Sequence, residues 1–137
     1  MRNHRGFSPL LTAAAAGHTE ICGVLLAHGS NVNETMYFYT KHTAIHYAAG
    51  NGHAALIEVL LSWGSAVNPQ DHSGCTPIFH ACQEGHQSCV RILLNAGANL
   101  FLPTNDGILP IHVAAQNNQV DMVRSLLELG CFPDQVG

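Results

Sequence analysis

An all-α, helix-turn-helix repeat solenoid with hairpin-like connections is the fold class this sequence predicts, and three observations predict it. Paired leucines recur at Leu25-Leu26, Leu60-Leu61, Leu93-Leu94 and Leu126-Leu127, in steps of 35, 33 and 33 residues. A glycine follows each pair at the same offset, at Gly29, Gly64, Gly97 and Gly130. Upstream, Ser8-Pro9-Leu10-Leu11, Thr43-Ala44-Ile45-His46, Thr76-Pro77-Ile78-Phe79 and Leu109-Pro110-Ile111-His112 recur in register. A period of this length marks stacked supersecondary units, because one copy cannot bury its own apolar face.

Each unit opens with a helix start. Ser8 or Thr76 as N-cap accepts a bond from an orphan N–H, and the following proline sits at N1, where its missing N–H costs nothing. Small residues come next, as Ala13-Ala14, Ala48-Ala49, Ala81-Cys82 and Ala114-Ala115, letting neighbouring helices approach closely. Gly17, Gly52 and Gly85 then end the first helix, each followed by His18, His53 or His86. A longer amphipathic segment follows; in Ala54–Ser62, Ile57, Leu60 and Leu61 fall at helical spacing. After the next glycine comes an extended, turn-rich stretch such as residues 68–74, which reads as a hairpin-like connection.

The second and fourth units depart from this pattern. Ala44 stands where proline is expected at N1, and Leu109 stands where the cap hydroxyl should be. A lost cap costs about 1 kcal/mol. Asn118-Gln119 replaces Gly-His, and Asn can still adopt the left-handed cap. The last unit is therefore expected to be the weakest. No polar capping repeat is evident at either end, which reads as a fragment or short isoform of a longer array.

Taken together, these motifs resemble the ankyrin repeat, with its 33-residue period and T-P-L-H-x-A signature. The resemblance covers nearly the whole chain, as four units at about 3–35, 38–70, 71–103 and 104–136 of a single domain, 1–137. It implies a non-catalytic protein–protein interaction module, an adaptor or scaffold. The alternative is the substrate-recognition segment of a ubiquitin-ligase adaptor, or a regulatory part of a larger enzyme or channel.

Composition narrows the function classes. Only 10% of residues are charged, net charge is −4, and 47% are hydrophobic with mean hydropathy +0.12. Average soluble proteins carry about 25% charge. Disorder is excluded. Five scattered basic residues give no footprint for nucleic acid. No apolar run approaches the ~20 residues of a bilayer span, and no secretory signal follows the N-terminal MRNHRG. A cytoplasmic, or also nuclear, monomer is expected.

Five cysteines and ten histidines raise the question of metal, redox or nucleophilic chemistry. The cysteines (Cys22, Cys75, Cys82, Cys89 and Cys131) include no C-x-x-C pair, so no metal, cofactor or catalytic site is expected. Cys82 should be buried and inert, while Cys75, in a hairpin-tip position, is expected to be accessible to oxidants. His18, His53, His86, His46 and His112 occupy repeat slots, and the resemblance implies that they brace connections by hydrogen bonds. His4, His28, His42, His72 and His80 read as solvated surface side chains.

The resemblance also places partner contacts on hairpin tips and on the outer side of the first helices. Those slots hold His42, His72, Ser73, Asn105 and Asp106 on the connections. On the helices they hold Tyr47, Asn51, His80, Glu84, Val113 and Gln116. The surface is polar and nearly neutral, so electrostatic steering should be modest. The two extra residues of the first step lie in a connection carrying Tyr37, Phe38 and Tyr39. Insertions in solenoids map to loops on one face, and aromatics suit interfaces. These three are read as partner contacts, with packing onto the hairpin as the alternative. Asn33 and Asn68 occupy a slot that in the family is often an asparaginyl hydroxylation target; bracing of the turn by the carboxamide is the simpler reading.

Overall fold

The structure is a computed structural model that describes residues 2–3, 6–36 and 40–131. It contains eight helices: α1 (Pro9–Ala16), α2 (Thr19–Ala27), α3 (Ala44–Asn51), α4 (Ala54–Ser62), α5 (Pro77–Glu84), α6 (Gln87–Asn95), α7 (Pro110–Gln116) and α8 (Val120–Glu128). Odd-numbered helices pack side by side in one layer, α1–α3–α5–α7, each backed by the even-numbered helix that follows it. This is the all-α helix-turn-helix solenoid.

Local chemistry sets the helix ends. Ser8 Oγ accepts the Leu11 N–H at 3.1 Å and donates to the Glu34 carboxylate, tying the first cap to the connection that follows. Thr76 Oγ1 accepts the Phe79 N–H at 3.2 Å. In the second and fourth repeats a histidine supplies the N-terminal bond. His46 Nδ1 accepts the Thr43 N–H, and His112 Nδ1 accepts the Leu109 N–H, each at 3.0 Å. Leu109 thus keeps one bond of a capping box while lacking the reciprocal hydroxyl. Asn118 takes φ +57° after α7, the left-handed turn that glycine supplies in the other repeats.

The connections are turns rather than strands among the described residues. Asp71 N–H donates to the Cys75 carbonyl at 3.0 Å and Gly74 N–H to the Asp71 carbonyl at 2.9 Å; Thr104, Gly107 and Ile108 repeat the pattern. Successive turns are joined by His72 N–H to Thr40 O, 2.8 Å, and Asn105 N–H to Ser73 O, 3.0 Å.

One continuous core runs between the layers, built from Leu10, Ile45, Ile78 and Ile111 in one slot and Leu60, Leu93 and Leu126 in another. Full burial of each such side chain stabilises by about 1.5–3 kcal/mol. Stacking decides which copies are covered. Leu56, Cys89 and Met122 are at most 1% exposed, whereas Ile21 in the same slot of the first repeat is 51% exposed. At the other end an open groove of about 340 Å³, lined in part by Val90, Leu94, Ser125 and Leu129, separates α6 from α8. No helix among the described residues is long and apolar enough to cross a membrane.

Candidate functional site

The outer side of α3 and α5 and the turns before them form a concave face. His42, Tyr47, Asn51, His80 and Glu84 converge there on a cavity of about 190 Å³, together with His46. His72, Ser73, Asn105 and Asp106 are exposed on the adjoining turns, and Gln116 is exposed on α7. Their backbones are held firmly. Asn105 Nδ2 donates to the His72 carbonyl at 2.9 Å, and Asn51 Nδ2 reaches the Ala15 carbonyl of the previous repeat at 3.0 Å. Tyr37, Phe38 and Tyr39 lie outside the described residues.

Several expectations change on this face. Val113, in the outward slot of α7, is buried at 5% exposure. Tyr47 is half-buried: its ring lies 5.6 Å from Phe7 and 5.2 Å from His42, and its hydroxyl donates to Met36 Sδ at 3.2 Å. It therefore packs as well as facing the cavity. His42 and His80 are only partly exposed, and each is tied to a buried carboxylate. Each Nε2 bonds the same oxygen of Asp71, Oδ2, at 3.0 and 2.9 Å.

Asp71 is the residue that sequence reasoning passed over. It is 7% exposed, and its other oxygen accepts the N–H groups of Ser73 and Cys75 at 3.0 and 2.9 Å. Burial alone would raise its pKa, but the bonds from His42, His80 and Cys75 N–H outweigh that and hold the carboxyl well below the usual range. The available signal was its slot, which holds Phe38 and Thr104 in the neighbouring repeats.

Beside it, His46 bridges two repeats. Nδ1 accepts from Thr43, and Nε2–H donates to the Cys75 carbonyl at 2.9 Å, which defines a neutral ring protonated on Nε2. Burial, and more weakly the neighbouring His80, lowers its pKa to about 4 despite the Cys75 bond. His86 braces in the same way, with Nε2 at 3.1 Å from the Gly50 carbonyl.

The cysteines are quiet. Burial pushes Cys82 up to about 12. Cys75, expected to be open to oxidants, is half-buried, and burial and the Asp71 carboxylate push its thiol up to about 11. Little reactive thiolate exists there at neutral pH.

Asn33 and Asn68 each bond the following repeat through the carboxamide oxygen. Asn33 Oδ1 accepts the Ala66 N–H at 2.8 Å, and Asn68 Oδ1 accepts the Asn99 N–H at 2.9 Å, each from the next repeat.

Stacked helix pairs with hydrogen-bonded turns and a polar concave face define an α-solenoid repeat protein. The profile for ankyrin repeats, in three copies, matches residues 1–71 and 51–136, and the chain belongs to that family. The described residues hold four helix pairs. Ankyrin repeats are in general protein–protein interaction modules, and the family is typically non-catalytic. Comparison with curated protein sequences gave no match.

Proposed function

We propose that this chain acts as an adaptor or scaffold that recognises a protein partner through its concave face and turn tips, with no chemistry of its own. One observation carries the reading. Exposed polar side chains at His72, Ser73, Asn105 and Asp106 stand on turns joined by hydrogen bonds between repeats, and those at Asn51, Glu84 and Gln116 stand on helices α3, α5 and α7. Such a surface loses little conformational freedom on binding, so its polar contacts count toward affinity. His42, Tyr47 and His80 shape the floor of that surface; Tyr37, Phe38 and Tyr39 are further proposed contacts on the ground of their place in the sequence alone. The protein works as a monomer in the cytoplasm or nucleus.

The test is affinity capture with three proteins of equal helicity: wild type, a His72/Glu84/Asp106/Gln116→Ala variant, and a Tyr37/Phe38/Tyr39→Ala variant. A partner kept by wild type and lost by the first variant supports the concave face. Loss only in the second moves the site to the insertion, and a partner retained by both overturns the reading. Hydroxylation at Asn33 and Asn68 is a separate proposal. Intact mass after expression in a mammalian cytosol would show it as added oxygen, and an unmodified mass would remove it.

A further inference from the structure

We propose that His42, Asp71 and His80 form a binding site for a divalent transition cation of the zinc class, joining the second repeat to the third. The proposal does not depend on the partner-binding reading. The two Nε2 atoms and one carboxylate oxygen of these residues lie within 4.8 Å of one another, with Asp71 Oδ2 at 3.0 and 2.9 Å from the rings. A tetrahedral ion bound at ordinary zinc distances spaces its ligand atoms about 3.3 Å apart. The two oxygen–nitrogen distances are within a few tenths of an ångström of that spacing, while the two ring nitrogens, up to 4.8 Å apart, have to close by as much as about 1.5 Å. Two imidazoles and a carboxylate are a donor set that suits zinc.

The residues are also surplus to what the repeat needs. Thr104, in the slot of Asp71, closes the same turn with one hydroxyl on the Ile108 N–H at 3.1 Å. Asp71 does the equivalent work through Oδ1, which leaves Oδ2 for the histidines. The slot of His42 holds Phe7 and Ile108 in other repeats, and the slot of His80 holds Tyr47 and Val113. Neither histidine is required by the fold. The Ser73 and Cys75 N–H bonds orient the carboxylate, the kind of support that ligating groups receive in metal sites.

Space for further ligands is present. The cavity beside His42 and His80 is about 190 Å³, and Glu84 lines it, so water or the Glu84 carboxylate can complete the coordination. Binding requires the proton on each Nε2 to leave that nitrogen, for Nδ1 or for solvent, so that the lone pair faces the ion. The ion then replaces the two bonds to Asp71 with three ligand bonds from two repeats.

The experiment titrates the full chain at neutral pH, under a phosphine reductant, with Zn²⁺ followed by calorimetry and Co²⁺ followed by visible absorption. The expected result is one equivalent bound, a cobalt spectrum without a thiolate charge-transfer band, and a melting temperature raised by zinc. His80→Val, which installs the residue of the fourth repeat, and Asp71→Asn should each weaken binding by about tenfold or more. His72→Ala, on the same turn, should leave it unchanged. Absence of stoichiometric binding, a thiolate band, or unchanged affinity in a folded His80→Val protein would overturn the proposal.

Discussion

His86 lies against Gly52 across the boundary between the second and third repeats. Its Cε1 and Nδ1 are 2.9 Å from the point a Cβ on Gly52 would occupy, while its Nε2 holds the Gly50 carbonyl at 3.1 Å. Gly52 is at φ +79°, so the same residue satisfies a backbone requirement and a packing one.

Replacing Gly52 with alanine should therefore destabilise the protein twice over. The left-handed backbone costs an L-residue about 1–2 kcal/mol, and the new methyl displaces the His86 ring. A total of about 2 kcal/mol or more is expected from urea unfolding. Adding His86→Ala should relieve the steric part only, so the double-mutant cycle should show coupling.

Stability should fall as the solution is acidified, in two windows. His46 has a folded pKa of about 4 against 6.5 for a free ring, so the unfolded chain takes up its proton first. Its contribution is complete above the unfolded value and is lost as pH drops toward the folded one, by about 3 kcal/mol at most. Asp71, held below its ordinary 3.8, loses its contribution only below that value. Urea midpoints measured through the weakly acidic range should show the first window. His46→Phe, matching Phe79 in the same slot, should flatten it.

Lys41 is one of two non-glycine residues at positive φ, with +56°, among the described residues. Its slot holds Gly6, Gly74 and Gly107 in the other repeats, all at positive φ. Lys41→Gly removes a strain of about 1 kcal/mol or more and adds back roughly half of that in unfolded-chain entropy. The variant should be about 0.5 kcal/mol more stable in thermal or urea unfolding. A loss of stability would show that the lysine side chain makes a compensating contact.

Hydrogen exchange should show residues 109–130 opening before residues 43–97. Leu109 offers no cap hydroxyl, the groove between α6 and α8 is open, and Leu127 is 38% exposed where Leu26 in the same slot is 4% exposed. In a stack with nearest-neighbour coupling, the repeat with the weakest interface opens first. Equal protection along the chain would contradict this.

The repeating elements were legible because each has a local signature. Ser8, Thr76, the N1 prolines and Gly17 act within a few residues of themselves, so sequence order is enough to place α1 to α8. The substitution of Asn118 for glycine was readable for the same reason. The concave face was only partly legible: Asn51, Glu84, Gln116, His72 and Asn105 are exposed as their slots suggest, while Val113 is buried and Tyr47 half-buried. The bonds of Asp71 to His42 and His80 join residues 29 and 9 positions apart, and neither spacing is a motif in itself.

By itself, the sequence determined the period, the caps and breakers that bound the first helices, and the slot that each residue fills, since caps, helix breakers and apolar spacing act locally. Tertiary stacking decided what a slot means. It buried Leu56 while leaving Ile21 half-exposed, turned His46 into a neutral bridge to the Cys75 carbonyl, and gathered His42 and His80 onto one carboxylate oxygen. Burial and charge pairing depend on what the adjoining repeat brings within a few ångströms, and that neighbour lies some 30 residues away along the chain.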